Sequence, residues 1–134
     1  MAKISRTPFN GSRWITSYVS SDTTITAKLT GRCFFVTAGG ATNLNVNFLD
    51  NGCYFKIIMR ENTSGNVNIS FPSMEGVLVS DNTSDVALTN AGESGQTTLT
   101  IPSGASAGSY VDLICDGNKW YVTGMAHGVH FTQS

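Results

Sequence analysis

Short runs in which apolar and polar residues alternate recur along this chain, and they constrain its fold more than any other feature. Thr24-Ile-Thr-Ala-Lys-Leu29, Leu44-Asn-Val-Asn-Phe48 and Asn66-Val-Asn-Ile-Ser-Phe71 each put every second residue on one side of an extended backbone, because successive strand side chains point to opposite faces. Nowhere do apolar residues recur at i, i+3, i+4 and i+7 over a useful length. About nine or ten short strands, with turn signals every 8–12 residues, predict an all-β fold. The expected architecture is an antiparallel β-sandwich or jelly-roll-like barrel with an extended N-terminal arm.

Residues 1–13 read as that arm, with Pro8 and Asn10-Gly11 breaking any pattern, and residues 14–134 as a single β-sandwich domain. Arg13–Val19 is the first expected strand. Asp50-Asn51-Gly52 predicts a hairpin, and Cys53–Arg60 after it is apolar enough for a strand buried on both faces. Pro72 is expected to end the strand that starts near Asn66, because proline has no N–H to donate. Gly76–Ser80 reads as a separate short strand, and Asp81–Gln96 as a polar surface loop crossed by a brief strand at Val86–Leu88. Leu99–Pro102 then leads through a Gly- and Ser-rich loop to an apolar strand, Tyr110–Cys115. Asp116-Gly117-Asn118 turns it back into Lys119–Thr123, and a last strand is expected at Val129–Phe131. The order alternating strand, Gly loop, apolar strand occurs twice, at Leu44–Ile58 and at Leu99–Cys115, a weak internal repeat by pattern.

The charged fraction is 13%, about half of the roughly 25% usual in soluble domains. Low charge leaves sheet edges without electrostatic protection, which points to an assembled protein whose edges are covered by partners. The net charge of −1 gives no footing for nucleic acid or an anionic membrane, and no apolar stretch is long enough to span one. Charge is unevenly placed: Lys3, Arg6 and Arg13 make residues 1–13 basic by three charges, which leaves the remainder acidic by four. Cys33, Cys53 and Cys115 are odd in number, lack C-x-x-C spacing and follow no secretory signal, so buried free thiols in a protein made in a reducing cytoplasm are expected.

Candidate chemistry is sparse. Gly104-Ala105-Ser106-Ala107-Gly108 satisfies G-x-S-x-G, but a nucleophile elbow needs a helix directly after the serine and a large α/β scaffold to bring a histidine and an acid to it. A strand is expected here instead, so the run reads as a flexible small-residue loop. His127 and His130 form H-x-x-H; three apart on a strand they face opposite sides, so tail histidines on the surface are the default and only a threefold assembly would gather them around an ion. Asp112, Asp116, Glu61 and Glu75 show no spacing that selects a carboxylate pair, and Asp116 reads as a turn residue. Trp14, Trp120 and Tyr121 could stack on sugars, but aromatics on a strand are core or interface in most cases, and Trp120 and Tyr121 read as packing residues first. The residues point to no enzyme, metal or cofactor.

Ile101-Pro102-Ser103, the small-residue loop, the apolar strand and the return Asp116-Gly-Asn-Lys-Trp-Tyr-Val122 form one run, and Asn66–Pro72 looks like an earlier copy of its first strand. This run, Thr98–Gly124, resembles β-rich structural modules of tailed bacteriophages, found in trimeric tail fibres and in capsid decoration proteins. The resemblance implies a virion structural protein, made in the host cytoplasm, with itself as a homotrimer and the major capsid protein as partners. A fibre usually carries its module inside a longer chain, whereas this one starts at Met1, so a decoration (cement) protein on the outer capsid surface is favoured. Lys3, Arg6, Arg13 and Trp14 are then the expected capsid-binding arm. The alternative is a tail-fibre or receptor-binding, lectin-like module holding a glycan with its aromatics and the Asp81–Gln96 loop.

Overall fold

The structure is a computed structural model that describes residues 15–81, 96–129 and 131–133. Its ten strands are β1 (Ile15–Val19), β2 (Thr23–Ile25), β3 (Arg32–Val36), β4 (Thr42–Val46), β5 (Tyr54–Met59), β6 (Val67–Asp81), β7 (Gln96–Ile101), β8 (Tyr110–Cys115), β9 (Trp120–Ala126) and β10 (Thr132–Gln133). The all-β expectation holds. Ala27–Leu29 forms a 3-10 turn where the alternating run had predicted continued strand, so β2 stops at Ile25.

The chain winds between two stacks of parallel strands. β1, β3 and β5 lie side by side in one stack, and β2, β4 and β6 in the other. From β2 to β5, each strand of one stack is the connection between two strands of its counterpart, so no helix is needed to make a parallel crossover. The corners superpose as the strands do. Thr37 N–H donates to Val19 O at 2.8 Å, Arg60 N–H to Val36 O at 2.8 Å, and Ser64 N–H to Ala38 O at 3.0 Å. A Cβ at Gly65 would fall on the Gly40 backbone, which is why the corner after β5 carries glycine there.

The second half of the chain adds strands antiparallel to these stacks. β8 pairs with β5 and β9 with β8, while β7 pairs with β6 and β10 with β7. β6 belongs to both sheets: Val67–Ser70 lies between β4 and β7, and the part from Met74 to Asp81 runs parallel to β9. Both sheets are therefore mixed, and the expectation of a wholly antiparallel sandwich is corrected. Turn residues show that the chain reverses but not which strand it will meet. Asp50-Asn51-Gly52 accordingly makes a corner between sheets and no hairpin, since β4 and β5 do not pair with each other. Pro72 does not end β6; it sits where the register against β7 shifts between Ser70 and Met74, a place where a missing donor costs little. The expected strand at Gly76–Ser80 is the end of β6, and the last strand falls at Thr132–Gln133. The expected strand at Val86–Leu88 lies outside the described residues.

Side chains facing inward from both sheets form one buried cluster. Val19, Phe34, Val36, Phe55, Ile57, Met59, Val111, Leu113 and Val122 come from one sheet, and Ile25, Leu44, Val46, Val67, Ile69, Leu99 and Ile101 from the other. Burying each such side chain contributes about 1.5–3 kcal/mol relative to leaving it in water. The two copies of the weak repeat run oppositely: β8 is antiparallel to β5, and β7 is antiparallel to β6 where β4 is parallel to it.

Candidate interaction surface

The outer faces of the two sheets differ sharply, because the residues between the inward positions differ in kind. On the β2–β4–β6–β7 sheet they are Thr24, Asn43, Asn45, Asn68, Ser70, Thr98 and Thr100. Several are joined across strands. Asp22 accepts from the Asn43 backbone N–H at 2.8 Å and from its side-chain amide at 3.1 Å. Asn68 Nδ2 donates to Asn43 Oδ1 at 3.1 Å, and Thr100 Oγ1 donates to Asn68 Oδ1 at 2.9 Å. The asparagines of the alternating runs thus serve one another as partners along the ladder, as stacked amides do in cross-strand arrays.

The outer face of the other sheet is apolar and aromatic. Tyr18, Phe35, Ile58, Tyr110 and Met125 are register partners in turn across β1, β3, β5, β8 and β9, and so form one continuous row. A parallel row holds Tyr54, Ile114 and Tyr121. Tyr18 is 69% exposed, Ile114 53%, Tyr54 46% and Met125 44%. Between the rows lies Lys56, with its ammonium 3.4 Å from Asp112 and 4.2 Å from the Tyr110 ring centroid. Tyr18 stacks on Phe35 with centroids 5.7 Å apart, and the Arg60 guanidinium lies 5.0 Å from the Tyr18 ring. At the Tyr110–Met125 end, a cleft of roughly 200 Å³ opens between Ala107, Gly108, Ser109, Tyr110, Met125 and His127.

Sequence reasoning missed this face. It read Cys53–Arg60 as buried on both sides, whereas every second residue of β5 is exposed or only half-buried. The available signal was the doubling of bulky residues, Phe34-Phe35 and Ile57-Ile58, which sets a second apolar side opposite the core side.

The G-x-S-x-G run is pinned to its neighbours, against the flexible loop expected for it. Every backbone N–H from Ser103 to Ser109 has an acceptor. Ser103 uses Asn66 Oδ1, Gly104 the Thr63 carbonyl and Ala105 Thr63 Oγ1. Ser106 uses the His127 carbonyl, Ala107 Asn62 Oδ1, Gly108 the Met59 carbonyl and Ser109 the Ser106 carbonyl. Gly104 and Gly108 supply the positive φ that the run's turns require, +93° and +92°. β8 begins at Tyr110 directly afterwards, so the run is not the strand-to-helix turn that exposes a nucleophile.

The remaining candidates fall as follows. Trp120 is fully buried and donates from Nε1 to the Phe48 carbonyl at 2.9 Å, so it offers no sugar platform. Asp116 caps the β8–β9 turn, accepting from Asn118 N–H at 2.8 Å and Lys119 N–H at 2.9 Å, while the Tyr121 hydroxyl donates to it at 3.0 Å. Those contacts, that to Asn118 first, hold its carboxyl below the usual value. All three cysteines are buried free thiols, and burial raises the pKa of Cys33 and Cys115. Among the described residues no three His, Cys, Asp or Glu side chains gather as metal ligands. Lys3, Arg6, Arg13, Trp14 and His130 lie outside the described residues, as does most of the Asp81–Gln96 loop. No described helix is long and apolar enough to cross a membrane. Comparison with protein families, curated proteins and solved structures finds no match to this chain.

Proposed function

We propose that this chain is a non-catalytic structural protein of a tailed-phage virion, a homotrimeric capsid decoration protein that binds the outer head surface and stabilises the lattice. The observation that carries the reading is the outer aromatic face. An uncharged row of large side chains crossing five strands, on a chain poor in charge, is a surface made to be covered. The resemblance of Thr98–Gly124 to phage structural modules supplies the setting. The mechanism is physical: many copies, each making modest contacts with its own kind and with the major capsid protein, add up through multivalency. The fully buried Trp120 weakens the lectin-like alternative, which relied on the aromatics of this region. Electron microscopy of the virion carrying an epitope-tagged copy tests the reading. Label on the head facets is expected; label confined to the tail tip, or none on the particle, overturns it.

A further inference from the structure

Cys53 and Cys115 stand opposite each other at the end of the β5–β8 ladder, one position beyond the Tyr54–Ile114 pair. Cys115 N–H donates to the Cys53 carbonyl at 2.9 Å, and Gly52 N–H to the Cys115 carbonyl at 2.8 Å. Gly52, at φ of +84°, and Cys53 thus share one opposing residue, a bulge of the kind that takes glycine in its first position. Both cysteine side chains enter the same buried cluster. Cys33 lies outside that cluster and pairs in register with Lys56, whose ammonium meets Asp112 on the outer face. We propose that Cys53 and Cys115 are a disulfide-forming site, free in the reduced chain and bridged on contact with a low-molecular-weight disulfide, so that the bond staples the start of β5 to the end of β8.

Facing residues on antiparallel strands hold their Cα atoms about 4.5–5.5 Å apart, inside the roughly 4.4–6.8 Å that a disulfide spans. Two facing thiols on one side of the sheet therefore join by side-chain rotation, with the strands left in place. Burial orders the steps. Cys53 is 9% exposed and follows the exposed Asn51 and Gly52, whereas Cys115 is 2% exposed and its Sγ accepts from Gly117 N–H at 3.3 Å. Burial also pushes the Cys115 thiol up, which keeps it protonated while Cys53 reacts. Cys53, as thiolate, attacks one sulfur of the external disulfide RSSR, forming Cys53–S–S–R and releasing RS⁻. That RS⁻ takes the Cys115 proton, and the Cys115 sulfur then attacks Cys53 Sγ. The second RS⁻ leaves and takes up the proton that Cys53 had lost. Two protein thiols are oxidised to one disulfide, and RSSR is reduced to two RSH. The bond closes the long stretch of chain from β5 to β8 and stabilises by restricting the unfolded state. It also fixes two turns that already abut, since a Cβ on Gly117 would lie 3.4 Å from Asn51 Cβ.

The test uses the full chain, purified reduced and kept folded. It is incubated with oxidised glutathione at about pH 8, near the ordinary thiol pKa, quenched with acid, alkylated with N-ethylmaleimide in denaturant and weighed by mass spectrometry. Reduced protein is expected to take up an alkyl group at each of its three cysteines, and oxidised protein only at Cys33, with a linked Cys53–Cys115 peptide after digestion. The urea midpoint of the oxidised form should rise by about 1 M and return when dithiothreitol is added. Oxidation in strong urea, where the three thiols are equally free, should give mixed pairings instead. Cys33→Ala should still form the bridge, and Cys53→Ala should lose both the bridge and the redox dependence of the midpoint. The mass and peptide map of the wild type decide the question even where a variant fails to fold. Full alkylation after oxidation of the folded chain, a bridge that includes Cys33, a glutathione adduct that never resolves, or a midpoint that stays put or falls overturns the inference.

Discussion

Trp120 ties the loop before β5 to the body of the sheet. Its ring centroid lies 5.4 Å from that of Phe48, 5.8 Å from Phe55 and 6.1 Å from Phe71, and its N–H satisfies the Phe48 carbonyl. Replacing it with alanine removes a large packed side chain and leaves an acceptor without its donor. We expect Trp120→Ala to lose about 3–5 kcal/mol of stability, read from urea unfolding. Asp116 behaves differently because it is exposed and its partners are local. Its carboxyl binds a proton less tightly folded than unfolded, so its contribution is whole above the ordinary value of 3.8 and fades as pH falls through the depressed folded value. The Tyr121 hydroxyl is raised by the same hydrogen bond, so the contact also weakens as pH rises past the ordinary tyrosine value of 10.0. Urea midpoints followed from neutral pH down to about pH 2 should fall less steeply for Asp116→Asn than for wild type. Asp116 was legible in the sequence because a turn carboxylate bonds residues two and three ahead. Trp120 as a packing residue was legible too, but not that its neighbour Tyr121 stays partly exposed, since alternation along the strand does not say which face the core covers.

At the scale of elements, the loop Ser103–Ser109 depends on the corner that follows β5. Thr63 is buried and meets the loop four times: its hydroxyl donates to Pro102 O at 3.0 Å and accepts from Ala105 N–H at 3.0 Å, and its backbone pairs with Ala105 and Gly104. Thr63→Val keeps the shape and deletes the hydroxyl, stranding a half-buried carbonyl and a buried N–H. The expected cost is about 1–3 kcal/mol, with faster hydrogen exchange at Gly104 and Ala105 than elsewhere in the loop. Exchange that stays uniform would mean that the remaining bonds hold the loop alone. Strand positions were largely legible because alternation is a local property. Pairings were not: Asp50-Asn51-Gly52 and Asp116-Gly117-Asn118 look alike as sequences, yet only the second joins neighbouring strands. What separates them is whether the incoming strand finds a free edge beside it, which is decided by strands far away in the chain.

On the scale of the whole molecule, the winding gives each sheet an outer face of one character, since residues at equal positions in successive turns stack. Asn43 above Asn68 and Phe35 beside Ile58 are two products of the same register. Residues 1–13 carry three positive charges and the rest four net negative charges, and under the proposed function we expect that segment to meet an acidic capsid surface. Residues 1–13 contribute none of the described strands. The truncated protein is therefore expected to stay soluble and trimeric by light scattering while losing its binding to expanded heads in a sedimentation assay. Binding by the full chain should also weaken as salt rises from low to physiological ionic strength, because exposed charges are screened beyond about 8 Å there. If the truncated protein sediments with heads as well as the full chain does, Lys3, Arg6 and Arg13 are not the docking residues, and the capsid contact must lie on the folded body.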